Sequence, residues 1–176
     1  MDIHADIHVR PLRRDEAGVL DRVFAGLSPQ SRHLRFHSPI IRLTAPVRRA
    51  LLAVDERDHV ALVAVARGKP VGIARLIRDP RRAHEAEIAF EVVDAWQRRG
   101  VGRLLLTALA GEAQRLGVRR LLALVLPENT AAFALLRSVF PVCFARRGRD
   151  ATELVCVLDA HGWEITMDDV LGDLAA

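Results

Sequence analysis

The segment Gln97-Arg98-Arg99-Gly100-Val101-Gly102 constrains this chain more than any other, because it joins an alternating stretch to a long apolar-striped one. Upstream, Glu85 to Val93 reads as a strand with Ile88, Phe90 and Val92 on one face and Glu87, Ala89 and Glu91 on the other. Downstream, Val101, Leu104, Leu105 and Ala108 keep helical register up to Leu116-Gly117, where glycine is the expected C-terminal cap. The wholly apolar run Leu121 to Leu126 then reads as a further strand. Strand, glycine turn, helix and strand make a β/α/β crossover. Glycines at 100 and 102 let backbone amides approach an anion, the helix start adds roughly half a positive charge, and Arg98, Arg99 and Arg103 add more. A pyrophosphate suits such a turn; a plain helix cap flanked by surface arginines is the other reading. Position 105 is Leu, so the dinucleotide-binding glycine pattern is incomplete, and the phosphate-loop pattern is absent.

The rest of the chain fits around this unit. Ile7 to Leu12 is extended, and Leu20, Val23, Phe24 and Leu27 recur at helical spacing. Ser28-Pro29 opens a short helix to Phe36, and Thr44 with Pro46 opens another towards Val54. His59 to Ala66 and Val71 to Ile77 flank the turn Arg67-Gly68-Lys69-Pro70 and read as a hairpin. After Pro127-Glu128-Asn129 comes a helix to about Ser138, then strands near Val142 to Arg146 and Thr152 to Leu158. The expected fold is mixed α/β: a mostly antiparallel twisted sheet with flanking helices and one central β/α/β crossover. At 176 residues the chain is one domain, taken as residues 1–158, with 159–176 as a C-terminal tail that docks against it.

Composition narrows the class. Apolar residues make up 51% and charged residues 27%, which suits a folded domain. No apolar run reaches the roughly 18 residues of a membrane span, and Met1 to Arg10 lacks the order of a secretory signal, so a cytoplasmic protein is expected. The charge of +4 comes from arginines interleaved with acids, and aromatics are only 5%, which argues against nucleic acid as partner and leaves room for an anionic ligand. Cys143 and Cys156 read as small buried apolar residues. His4/His8 and His33/His37 stand at i, i+4 without an evident third ligand, so no metal site is expected. Arg32 and Arg35 line the acceptor side or recognise a carboxylate, with plain surface arginines as the equal alternative. Oligomeric state is not legible.

The stretch Val92 to Gly102, followed by Leu104-Leu105, a strand and Pro127-Glu128-Asn129, resembles the acyl-CoA-binding core of the GNAT superfamily of N-acyltransferases. A narrower likeness joins Ser31 to Phe36, Val54-Asp55, His59 to Ala64, Gly72-Ile73-Ala74-Arg75 and Ala86 to Phe90: these phrases resemble the catalytic domains of bacterial protein lysine acetyltransferases. In those proteins the domain is often fused to a cyclic-nucleotide-binding or acyl-CoA-synthetase-like region, for which a chain of 176 residues has no room. The resemblance implies acetyl-CoA as cosubstrate. It implies that Val92 and Val93 pair their backbone with the pantetheine arm and that residues 97 to 103 wrap the pyrophosphate. Asn129 would hydrogen-bond the pantetheine or thioester end, with Phe133 beside it; a helix cap and a core residue are the plainer roles for these two.

Acylating an amine requires removal of its proton, since lysine is almost wholly protonated near pH 7. Glu87 and Glu91 share a strand face about 13 Å apart, so only one can stand at the thioester. The phrase Glu87-Ile88-Ala89-Phe90 favours Glu87 as general base, again by resemblance, over Glu91. Many relatives carry a tyrosine as general acid seven residues after the helix-starting Asn; here that position is Leu136, and the chain has no tyrosine. A thiol of pKa about 8.5 can leave as thiolate, so the reaction does not require that acid. The Gly-Phe that often follows this helix is replaced by Phe140-Pro141. The expected acceptor is a protein lysine, with a small amine or a non-catalytic acyl-CoA-binding role as alternatives.

Overall fold

The computed structural model describes residues 7–158; the amino-terminal six residues and the segment proposed as a docking tail lie outside that range. Seven strands form one sheet in the order β1-β2-β3-β4-β5-β7-β6. They are β1 (Ile7–Pro11), β2 (His59–Ala66), β3 (Lys69–Arg78), β4 (Glu85–Val92), β5 (Arg120–Val125), β6 (Cys143–Arg147) and β7 (Thr152–Val157). Every neighbouring pair is antiparallel except β4 with β5. That parallel pair is joined by the crossover helix α4 (Val101–Arg115), as the sequence pattern implies.

Both faces of the central strands are covered, which is why β2 is an almost continuous apolar run rather than an alternating one. On one face Leu62, Ala74, Leu76 and Ile88 pack with Leu105, Leu106 and Leu109 of α4 and with Leu136 of α5 (Thr130–Val139). On the other, Val63, Val65 and Ile73 pack with Leu20, Val23 and Phe24 of α1 (Ala17–Ala25). The short helices α2 (Pro29–Phe36) and α3 (Ala45–Leu51) lie on this second side, capped by the side chains of Ser28 and Thr44. Helix α2 buries none of its residues completely, so it is a wall of the fold and not part of its centre. No helix among the described residues is long and apolar enough to cross a membrane.

The two cysteines correct the sequence reading. Cys143 and Cys156 stand directly opposite each other on β6 and β7, with Cα atoms 4.2 Å apart, and are joined by a disulfide. Their spacing of 13 residues becomes a cross-strand pair only through the register of the hairpin, which composition cannot reveal.

Candidate active site

Strands β4 and β5 pair only from Glu85 opposite Arg120 to Glu87 opposite Leu122, and then part. From Ile88 onward the β5-facing edge of β4 is open. Because the Val93 amide donates to the Val71 carbonyl (2.9 Å), alternation along the strand turns the backbone groups of Phe90 and Val92 to that open edge. The fork widens into a cleft of about 820 Å³, walled by α2 on one side, by α5 and the end of β5 on the other, and by the glycine turn at its far end.

The turn has the geometry of an anion cradle. Arg98 (φ 60°) and Gly100 (φ 81°) both take left-handed backbone conformations. No side chain caps α4, so its first-turn amides have none of the usual side-chain acceptors. Gln97, Arg98, Gly100, Gly102 and Arg103 all line the cleft. Gln97 Nε2 sits within hydrogen-bonding distance of the Val92 carbonyl (3.0 Å), Asp94 Oδ1 (3.2 Å) and Ser31 Oγ (3.3 Å), fixing the turn to β4 and α2. Arg103 reaches α5, donating to the carbonyl and hydroxyl of Ser138. Val101 is buried in the core, and Arg99 lies over the Trp96 ring, 5.5 Å from its centroid. A Cβ on Gly102 would come within 2.7 Å of Leu135 Cδ2, so this glycine serves the packing of α4 on α5 as well as access to the amides. A side chain there is accommodated only if the end of the Leu135 side chain moves aside.

The other expected contacts divide. Val92 lines the cleft and its carbonyl meets Gln97, whereas Val93 packs with the α1-side core and gives its amide to β3. Asn129 lines the cleft and caps α5, its Oδ1 accepting from the Ala132 amide at 3.1 Å. Phe133 packs against the main core under Arg137, whose guanidinium carbon is 6.0 Å from the ring centroid.

The two carboxylates of β4 sit in opposite circumstances. Glu87 lines the cleft at the point where the strands part, is exposed, and has no ion pair or hydrogen bond among the described residues. Glu91 is buried, with Oε2 at 2.5 Å from Arg35 Nε and Oε1 at 3.6 Å from Arg75 Nη2. Both its oxygens are committed to guanidinium groups, which leaves Glu87 as the carboxylate available for chemistry. Arg75 is 2% exposed and donates Nη1 to the Leu51 carbonyl. Burial pushes its guanidinium down from the ordinary arginine range while Glu91 pulls it back, and an arginine keeps its proton in such a setting. Sequence reasoning did not identify this cluster; its one signal was a charged residue at an inward position of the apolar run Val71 to Ile77.

Two further contacts seat α2 beside the site. Burial alone would raise Asp94, but hydrogen bonds from Ser28 and Ser31, with Arg32 nearby, hold it below the usual carboxylate range. His33 Nε2 lies 3.4 Å from Glu128 Oε1, spanning from α2 to the loop before α5. The position of the missing tyrosine, Leu136, is wholly buried and offers no acid. Ser138 lines the cleft, but its hydroxyl donates to the Leu135 carbonyl at 2.7 Å and accepts from Arg103.

Comparison with known proteins gives the family and the fold. The model of the acetyltransferase (GNAT) family matches residues 27–140. Acetyltransferase Pat of Mycolicibacterium smegmatis is 35% identical over 119 residues, which is 65% of this chain and 35% of Pat, so the chain spans about a third of that relative's length. The GNAT domain of S. lividans PAT superposes with a TM-score of 0.80 at 31% identity, covering 86% of this chain and 90% of that one. The yncA protein of Salmonella typhimurium, solved with its cofactor acetyl-CoA, shares the fold at 19% identity with a TM-score of 0.60, covering 92% of this chain and 99% of its own. The chain belongs to the GNAT family of acetyltransferases.

Proposed function

We propose that this protein moves an acetyl group from acetyl-CoA to the side-chain amine of a protein lysine, with Glu87 as general base. The observation that carries the reading is the placement of an exposed, unengaged carboxylate at the mouth of the β4/β5 fork, in one cleft with an uncapped glycine turn. Acetyl-CoA supplies the acyl thioester. The amides of the first turn of α4, with Arg98 beside them, hold the pyrophosphate; the edge of β4 at Phe90 and Val92, unpaired with β5, aligns the pantetheine arm; Asn129 stands at its inner end. Glu87 takes the proton that the acceptor nitrogen must lose, directly or through one water. The nitrogen bonds to the acyl carbon, the carbon–sulfur bond breaks, and the thiolate takes its proton from solvent. No side-chain acid is needed for that last transfer, consistent with Leu136 and with the prior engagement of Ser138.

The lysine acceptor is supported by the resemblance of Ser31 to Phe36 and Ala86 to Phe90 to lysine acetyltransferases. Thiol release from acetyl-CoA, measured against lysine peptides, polyamines and free amino acids, tests it. Turnover with peptides at higher kcat/KM than with polyamines is expected. Turnover confined to polyamines would reassign the acceptor, and tight acetyl-CoA binding without transfer to any amine would make the protein a binding module.

A further inference from the structure

The cluster under α2 carries more positive charge than it can neutralise. Arg35 and Arg75 contribute two guanidinium groups and Glu91 one carboxylate, each guanidinium within hydrogen-bond or ion-pair distance of that carboxylate. Arg75 is almost completely buried, and its Nε and Nη2 have no hydrogen-bond partner. Arg35 spends only Nε on Glu91; its guanidinium is further steadied by the Phe36 ring, 4.8 Å away, and its terminal nitrogens have no partner among the described residues. Arg35 and Glu91 both line the cleft.

The placement along β4 gives this surplus a direction. Glu87, Ala89 and Glu91 follow one another on the same strand face, about 6 to 7 Å apart. If acyl transfer takes place at the level of Ala89, the amine lies between an unengaged carboxylate on one side and an anchored, half-used guanidinium on the other. A fork held at Nε and free at its terminal nitrogens is a pre-organised receptor for a planar oxyanion. The surplus is a single positive charge with Glu91 beside it, which suits a monoanionic carboxylate and disfavours a dianionic phosphate.

We propose that Arg35 reads a carboxylate on the acceptor, so that the preferred substrate is an amine carrying an acidic group close to the reacting nitrogen. This inference rests on the acetyltransferase reading above and adds a substrate class to it. The carboxylate has two possible sources: an Asp or Glu side chain next to the target lysine, or the α-carboxylate of a free amino acid. Arg75 and Glu91 act as positioning residues, setting the angle of the Arg35 fork and keeping its charge uncompensated.

The test compares acceptors that differ only in that group, at saturating acetyl-CoA. One arm uses peptides with Glu or Gln immediately beside the lysine; the other uses free lysine and lysinamide. In the arm that matches the acceptor, the acidic member is expected to show a kcat/KM advantage of about tenfold to a hundredfold, carried mainly by KM. In Arg35→Gln that ratio should collapse towards one, and Arg35→Lys, which keeps the charge without the fork, should restore only part of it. Should the variants fail to fold, the wild-type ratios decide alone. Good turnover with equal kcat/KM for acidic and neutral members in both arms overturns the inference while leaving the acetyltransferase reading intact. No turnover with any acceptor overturns both.

Discussion

Glu91 shows how little a carboxylate's position on a strand face says about its role. Register places it opposite Ile73 and beside Arg75 of β3, and α2 brings Arg35 down upon it from 56 residues away. Removing its charge leaves Arg75 buried without an anion, a defect that costs about 3–5 kcal/mol when one partner of a buried pair is lost. Glu91→Gln is therefore expected to lower unfolding stability by an amount of that order in urea denaturation, and a variant within about 1 kcal/mol of wild type would contradict the cluster's role. Ser138 is a milder case. Its hydroxyl is already shared between Arg103 and Leu135, so Ser138→Ala should keep acetylation within about tenfold of wild type, or roughly 1.4 kcal/mol in the barrier. A thousandfold loss would mean that this serine replaces the absent tyrosine as proton donor. Cys143, on the strand that follows α5, offers no substitute donor either, since its sulfur carries no proton while it is bonded to Cys156.

Among the elements, α4 and its glycine turn were legible because their signals are local. Periodicity, the Gly-x-Gly spacing and the capping glycine all fall within about twenty consecutive residues. What stayed hidden depends on pairing between distant segments: the parting of β4 from β5 after Glu87, the cross-strand disulfide, and the contact of Gly102 with Leu135. The last can be measured. Gly-to-Ala in a helix normally stabilises by about 0.5–1 kcal/mol, but here the added methyl would press on Leu135 Cδ2. A double-mutant cycle of Gly102→Ala with Leu135→Ala should show a favourable coupling of about 1 kcal/mol, because truncating Leu135 makes room for the methyl. Additive effects would show that α5 yields without cost.

At the scale of the whole molecule, acid should weaken the fold in two stages. Burial pushes the His59 imidazole below its ordinary 6.5, with Arg75 adding to the effect, so the unfolded chain binds this proton more readily than the folded one. Stability therefore falls as pH drops below about 6.5. Asp55 accepts backbone hydrogen bonds from His59, Arg57 and Asp58, which hold it at about 2 against an ordinary 3.8. Its contribution is complete above 3.8 and is lost as pH falls towards 2. Thermal melts across pH should show the upper stage flattened in His59→Gln and the lower one in Asp55→Asn; unchanged profiles would assign acid sensitivity to other groups. The mixed sheet and its crossover could be read from the order of elements along the chain. The proposed division between an unengaged Glu87 and a paired Glu91 was favoured in the sequence only by resemblance, since the walls that α2 and β3 build around Glu91 come from distant segments. That division is the central claim, and acetylation of a lysine peptide by Glu87→Gln across pH tests it most directly. Glutamine keeps the shape but cannot take the proton, so turnover at pH 7 should fall about 10² to 10⁴-fold with acetyl-CoA affinity retained, and the deficit should shrink as pH rises and free amine becomes abundant. Near-normal turnover at pH 7 by the folded variant would contradict the assignment of Glu87 as the base.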